Sequence, residues 1–292
     1  MSQRTTVVGA SGRLRQLLCQ EFASASHQVT ALSRAHLDIT NDTEVIRVVA
    51  AGQPHVVVNC AAYNAVDAAE TNAESAFAVN GHAAGVLAAA ANAAGAVFIH
   101  FGTDFVFDGL TPKPYTEEDT PNPSSIYGLS KLAGETEVRK LAPRHYILRV
   151  ASLFGGTGVR GHRATIDYII ETLIAGGTVR ALVNRTVSPS YVPDVGRALC
   201  AIIDTPIPFG TYHCVNSDSA TWYDLAQFVA RELHVSGRVE PIQVASLTSV
   251  APRPQFCALS NEKLRQAGIE IPDWRSAISR HIHQRVDSVA TP

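Results

Sequence analysis

Short β-branched runs alternate along this chain with segments whose apolar residues recur every three or four positions. Thr5-Thr-Val-Val-Gly9 reads as a strand ending at a glycine. A helix follows through about Ala23, with Leu14, Leu17, Leu18 and Phe22 on its apolar side. His27-Gln-Val-Thr-Ala-Leu32 is a second strand, and Asn41 or Asp42 caps a helix from Glu44 to about Ala51. His55-Val-Val-Val-Asn59 is unbroken by polar residues until its end, as in a parallel strand buried on both faces. Ala73 to Ala94 predicts one Ala-rich helix of six turns, closed by Gly95. Ala96-Val-Phe-Ile-His-Phe101 and Tyr146-Ile-Leu-Arg-Val150 are further strands, separated by a helix that contains Tyr127. This alternation predicts an α/β fold of the Rossmann type, a doubly wound parallel sheet with helices on both faces.

After about Ser152 the rhythm changes. Glycines at 155, 156, 158 and 161 mark a loop, in which Arg160 and Arg163 are candidates to meet phosphates. Helices are predicted over Ile166–Ile174, from Pro193-Asp194 to about Ile203, from a Thr221 cap to about Leu233, over Leu259–Leu264 and near Trp274–Arg285. Gly210-Thr-Tyr-His-Cys-Val215 reads as a strand. The expected division is residues 1–152 as a mainly dinucleotide-binding domain and 153–292 as a smaller, mainly substrate-binding lobe. Segments of that lobe are expected to return to the sheet. The lobe should close over the carboxyl ends of the strands, where ligands of such folds bind.

Composition agrees with a sizeable core: of 292 residues, 46% are hydrophobic and 17% charged. A net charge of −2 without a basic run argues against nucleic acid as a partner. No apolar run is long enough to span a membrane, and the N-terminus enters a strand at once, without a signal peptide. The five scattered cysteines suit reduced thiols in a cytoplasmic protein. The 11 histidines form no ligand spacing, so no metal is expected.

Candidate chemistry concentrates between Phe101 and Lys131. A strand-end hydroxyl, Thr103, precedes a loop whose Pro112, Pro114, Pro121 and Pro123 exclude helix and central strand. Ser124 or Ser125 can then cap a helix carrying Tyr127 and Lys131, four apart and so on one face. This set suits carbonyl reduction. A hydride arriving at a carbonyl carbon leaves an alkoxide that needs a proton. The phenol of Tyr127 can supply it, a nearby ammonium should lower the phenol's pKa, and Thr103 can hold the carbonyl oxygen. His100 reads as a core histidine.

Gly9-x-x-Gly12 fits a dinucleotide loop, in which Gly9, Ser11, Gly12, Arg13 and Leu14 are the expected cofactor contacts. Arg15 stands where the fingerprint has its last glycine. At the end of the second strand, where an acid would hold a ribose 2′-hydroxyl, the chain has Ser33 and Arg34. A guanidinium suits a 2′-phosphate, so NADPH is favoured and NAD stays open. Asp38, with Ile39 beside it, comes late enough to reach the adenine edge.

Together these stretches resemble the extended short-chain dehydrogenase/reductases, and within them the dTDP-4-dehydrorhamnose reductase-like family. The resemblance spans nearly the whole chain. It is carried by Gly9-Ala-Ser-Gly12, Leu37-Asp-Ile-Thr40, Asn59-Cys-Ala-Ala-Tyr-Asn-Ala-Val-Asp67, Val79-Asn80, Thr103-Asp-Phe-Val-Phe-Asp-Gly109, Tyr127-Gly-Leu-Ser-Lys131 and Val187-Ser-Pro-Ser-Tyr-Val-Pro-Asp194. It implies Thr103, Tyr127 and Lys131 as catalytic residues, with Lys131 also on the nicotinamide ribose. It implies Cys60, Ala61, Ala62 and Tyr63 along the cofactor and Asp104 and Ser152 at the substrate; Asn80 is open between a buried amide supporting the site and a catalytic residue. One departure is Arg149-Val-Ala-Ser152, where the rhamnose enzymes show Arg-Thr-Ser-Trp.

The resemblance implies NADPH-dependent reduction of a nucleotide-linked 4-keto-6-deoxy sugar, and leaves a homodimer open. Two alternatives stand beside it. One is a nucleotide-sugar epimerase or dehydratase, although the acid pair usual in dehydratases is here Asp104-Phe105. The other is a non-catalytic, NADP-binding regulatory subunit of the methionine adenosyltransferase type.

Overall fold

In a computed structural model, the structure describes residues 3–9, 14, 18, 21–22, 27–156, 163–235, 237–244 and 249–290. Its centre is a six-stranded parallel sheet. Five strands come from the first half: β1 (Arg4–Val8), β2 (Gln28–Leu32), β3 (Val56–Asn59), β4 (Val97–Thr103) and β5 (His145–Val150). The sixth, Gly210–His213, comes from the second half and pairs with β5. Across the sheet the order is Gly210–His213, β5, β4, β3, β1, β2. All four residues of β3 are buried, as its apolar run predicts.

The chain winds in opposite directions from the gap between β1 and β3, so that gap is the switch point where such sheets bind ligands. Register aligns Val8 with Asn59, which sets the strand ends Gly9 and Cys60 side by side. One face of the sheet is covered by Leu14, Leu18 and Phe22 and by the helix Val192–Asp204. The other is covered by the helices Asp42–Gly52, Ala83–Ala93 and Ile126–Leu141. The fold is therefore the doubly wound α/β type that the alternation predicts.

Two helix starts follow the sequence signals. Asn41 Oδ1 accepts from the Glu44 amide at 3.1 Å. Of the two candidate serines, Ser125 caps the Tyr127 helix, its Oγ accepting from the Gly128 amide at 3.1 Å. The single helix predicted over Ala73–Ala94 is instead broken. Ala73–Phe77 and Ala83–Ala93 are α-helical, and Ala78–His82 between them is a π turn. Alanine permits either winding, and the reason for the break is tertiary. Asn80, on the π turn, is drawn to the Tyr63 backbone, and its carbonyl lies against Gly134, where a Cβ would come within 2.0 Å.

The second lobe has its own core, built from Phe154, Ile166, Ile170, Leu173, Leu225, Trp274 and Ile278. Its helices are Thr165–Ile174, Trp222–Glu232 and Trp274–Ala290. The second opens on a capping box between Thr221 and Asp224. A parallel pair, Thr178–Leu182 with Arg238–Ile242, escapes the sequence pattern because its alternation is short and interrupted by Pro241. The helix predicted over Leu259–Leu264 lies at Glu262–Gln266, since Leu259 is buried and bridges to Tyr115. Ion pairs tie the halves together, with Arg253 reaching Asp67 at 2.7 Å and 2.8 Å.

Candidate active site

The carboxyl ends of β3 and β4, the N-terminal turns of the Ile126–Leu141 helix and the second lobe enclose a cavity of about 530 Å³. Thr103, Tyr127 and Lys131 all line it, together with Cys60, Ala62, Asp104 and Ser152. The strand end and the helix meet closely because position 128 is glycine: a Cβ there would lie 2.3 Å from the Phe105 carbonyl oxygen. The Phe105 ring meets Tyr127 edge-on at 5.6 Å.

Burial pushes the Tyr127 phenol up to about 12; a hydrogen bond with Thr103 pulls it down and the charge of Asp104 adds to the rise. The expected lowering by Lys131 is thus overturned in the chain by itself. The physical reason lies in where the ammonium is held. Lys131 Nζ donates to the Phe101 carbonyl at 2.6 Å. Burial brings its pKa down to about 8, against the opposing charges of Glu135 and Cys60.

His100 stands behind Lys131. The Asn59 side chain accepts from the Ala61 amide through Oδ1 at 3.0 Å, which turns its Nδ2 toward His100 Nδ1 at 3.1 Å. The imidazole then accepts at Nδ1 and carries its hydrogen on Nε2, 3.5 Å from Lys131 Nζ. Burial, then the charges of Lys131 and Arg139, hold His100 well below its ordinary pKa and so neutral. Two donors cannot bond to each other, so the remaining ammonium hydrogens of Lys131 are turned toward the cavity. The core histidine of the sequence reading is also the wall against which Lys131 is set.

On the cofactor side, Gly9 has φ +82°, and a Cβ would lie 2.2 Å from the Ala61 amide nitrogen. Only glycine lets the first turn press against the end of β3. Leu14 is buried and reaches the cavity. Tyr63 is held by Asn80, whose Oδ1 accepts from the Tyr63 amide at 2.8 Å and whose Nδ2 donates to its carbonyl at 3.1 Å. Asn80 Nδ2 also meets Ser130 Oγ at 2.9 Å, tying the cofactor wall to the Tyr127 helix. Ser33 and Arg34 follow β2, with Arg34 exposed. Asp38 accepts from the Thr40 hydroxyl and amide at 2.7 Å and 3.0 Å, which lowers its pKa, and Ile39 is buried in the core. Ser33, Arg34, Asp38 and Ile39 lie outside the cavity wall, beyond the end of the edge strand β2. Ser11, Gly12, Arg13, Arg15 and Arg160 are outside the described residues.

On the substrate side, Asp104 is 3% exposed and Ser152 adopts φ +45°. Arg163 is not among the residues that line the cavity. It pairs with Glu171 and lies over the Tyr168 ring. The second-lobe cations on the cavity wall are instead Arg180 and Arg185, with Trp222 and Tyr168 as the aromatic surfaces. Arg185 lies over the Phe105 ring, and its buried Nε has no hydrogen-bond partner. No spacing in the sequence links it to Asp104, which lies 81 residues earlier in the chain. Among the described residues there is no cluster of His, Cys, Asp or Glu able to hold a metal ion.

Below the site lies a buried ion pair that sequence reading missed. Glu135 receives Arg149 Nε at 3.0 Å and Nη2 at 2.8 Å, and Arg139 at 2.8 Å. Arg149 continues over the Phe107 ring and to His213 Nε2 at 3.4 Å. Burial, with the Arg149 charge, drives His213 down to about 3. A carboxylate and a guanidinium spaced to pair across a helix and a strand were visible as residues, but only the fold shows that they meet.

Four likenesses accompany this geometry. The family described as "RmlD substrate binding domain" matches residues 3–286. A probable dTDP-4,6-dihydroxy-2-methyloxan-3-one 4-ketoreductase of Streptomyces antibioticus is 36% identical over 278 residues, 94% of this chain and 93% of the relative. A dTDP-4-dehydrorhamnose reductase of Mycolicibacterium smegmatis is 36% identical over 282 residues, 95% of this chain and 84% of the relative. The crystal structure of a dTDP-4-dehydrorhamnose reductase from Bacillus anthracis, in complex with NADP, superposes with a TM-score of 0.91 at 30% identity and covers 97% of this chain and 100% of that one. A cavity that gathers Thr103, Tyr127 and Lys131 at the switch point, in a chain matched from end to end, makes this protein a member of the RmlD substrate-binding-domain family.

Proposed function

We propose that this chain is an NADPH-dependent reductase of a nucleotide-linked 4-keto-6-deoxy sugar, with a dTDP-linked sugar as the first candidate. The observation that carries the reading is the convergence of Thr103, Tyr127 and Lys131 on one cavity. The names of the two relatives and the NADP bound to the Bacillus anthracis enzyme support it. The residues fit the cofactor. The Gly9–Ala61 approach leaves backbone, not side chain, at the switch point. Lys131 uses one ammonium hydrogen on Phe101 and has two for ribose hydroxyls.

NADPH, when bound, supplies the hydride. Lys131 holds and orients the ribose. Tyr127 keeps its proton at rest, because burial lifts its pKa to about 12. It gives that proton up only to a stronger base, and the alkoxide left by hydride arrival is one. The second lobe keeps bulk water from the reacting carbon. Thr103 orients the carbonyl. The decisive experiment is a panel of nucleotide-linked 4-keto sugars assayed for NADPH consumption, and absence of turnover across dTDP- and UDP-linked members would contradict the reading.

Arg34 is the residue proposed to read the 2′-phosphate. Arg34→Ala is expected to weaken NADPH binding by about tenfold, the size of one charge-assisted hydrogen bond, and to leave NADH nearly unchanged. Fluorescence titration with both cofactors checks this. Equal losses would show that Arg34 does not discriminate between them.

A further inference from the structure

Thr103 has one hydroxyl hydrogen and two lone pairs. The hydrogen is given to Asp104 Oδ1 at 3.0 Å. One lone pair takes the Phe105 amide hydrogen at 3.3 Å. Both side chains are buried, Thr103 5% and Asp104 3% exposed. The other lone pair is the one left for Tyr127, with which Thr103 also hydrogen-bonds, so in this arrangement Thr103 offers the cavity only lone pairs and no hydrogen. A carbonyl oxygen also offers lone pairs, so the two repel. The residue expected to hold the carbonyl cannot do so while its neighbour is a carboxylate.

Resting on the reductase reading, we propose that Asp104 is a positioning residue that decides whether Thr103 can donate to the substrate carbonyl. Protonated, the carboxyl becomes a donor. Its O–H turns to Thr103 Oγ1, and the hydroxyl hydrogen swings into the cavity toward the carbonyl oxygen. No covalent bond changes other than the uptake of one proton by Asp104. Asp104→Asn makes the same arrangement permanent, since an amide N–H donates to Thr103 at any pH.

The groups around Asp104 are compatible with such a change. Tyr127 and Lys131 face it from the Ile126–Leu141 helix, and Arg185 and Cys257 from the second lobe. Burial lifts Asp104 to about 6, opposed by the charge of Arg185 and the hydrogen bond from Thr103. Burial also pushes the Cys257 thiol up, so it stays protonated. Tyr127, at about 12, does not titrate in the same range, and Lys131 does so only near 8. The Asp104 limb can therefore be told from the other two.

The test is the pH profile of the initial-rate kcat/KM for NADPH-dependent reduction, from about pH 5 to 9. Initial rates keep the proton consumed by the overall reaction out of the measurement. For the wild type, kcat/KM should fall about tenfold per pH unit above a break near 6. Asp104→Asn should lose that break, keep the one from Lys131, and exceed the wild type by roughly tenfold or more near pH 8. A wild-type profile flat through this range, or an Asp104→Asn profile with the wild-type break, overturns the proposal. So does an Asp104→Asn variant slower than wild type at every pH.

A second measurement needs no turnover. The carboxyl band of Asp104, isolated by infrared difference between wild type and Asp104→Asn, gives its pKa directly. Thr103→Val removes the donor and should move that pKa upward by about one unit. An unmoved pKa would show that the two groups are not coupled. A wild type that binds NADPH but reduces no 4-keto sugar counts against the reductase reading alone, and the infrared titration then decides the coupling.

Discussion

Tyr127→Phe should lower kcat by about 10²–10⁴-fold, the usual worth of a positioned general acid, and leave NADPH affinity nearly unchanged. The substitution removes one oxygen. It keeps the ring that meets Phe105 edge-on and the helix capped by Ser125. Lys131→Ala provides the contrast. It takes away the ammonium held between Phe101 and His100 and, on the proposed reading, the ribose contact. Both kcat and NADPH affinity should then drop. Stopped-flow turnover and fluorescence titration separate the two outcomes. A Tyr127→Phe enzyme that reduces a confirmed substrate at the wild-type rate would remove Tyr127 from the chemistry.

Glu135→Leu is expected to cost about 3–5 kcal/mol of stability, because it strands a charge instead of removing one. Arg149 is 1% exposed, and without Glu135 its guanidinium keeps only the Phe107 ring and the neutral His213. In a chain of this size that corresponds to a fall in Tm of roughly 10 °C. Arg149→Met combined with Glu135→Leu should restore much of the loss, since the double change leaves no buried ion unpaired. Thermal and urea unfolding of the two variants read this directly. If the double variant is no more stable than Glu135→Leu alone, packing rather than charge sets the cost.

The parallel sheet was legible because its signal is local. Continuous β-branched runs and intervening apolar periodicity name strands and helices without reference to distant residues. The convergence of the candidate trio on one cavity was legible for the same reason, since Tyr127 and Lys131 are one helical turn apart and Thr103 ends a strand. The rest depends on contacts that no spacing reports. An alanine run is as good an α-helix as a π turn until Asn80 finds Tyr63. Arg185 reaches the cavity from a segment that gave no motif at all. The charge states are less legible still. Residue identity suggested a Tyr127 made more acidic by Lys131, whereas burial makes it less acidic.

The strand Gly210–His213 also bears on the order of synthesis. It forms the edge beside β5, yet it is made after the first helices of the second lobe. While the ribosome works through that lobe, the backbone donors and acceptors along the outer side of β5 have no partner, and such a row invites pairing with another chain. Tyr212, which packs beside Tyr146 in the finished protein, arrives with the missing strand. Nascent chains halted before this point should aggregate through β5, whereas those halted after it should not. Cover for the outer side of β5 thus waits on one four-residue segment.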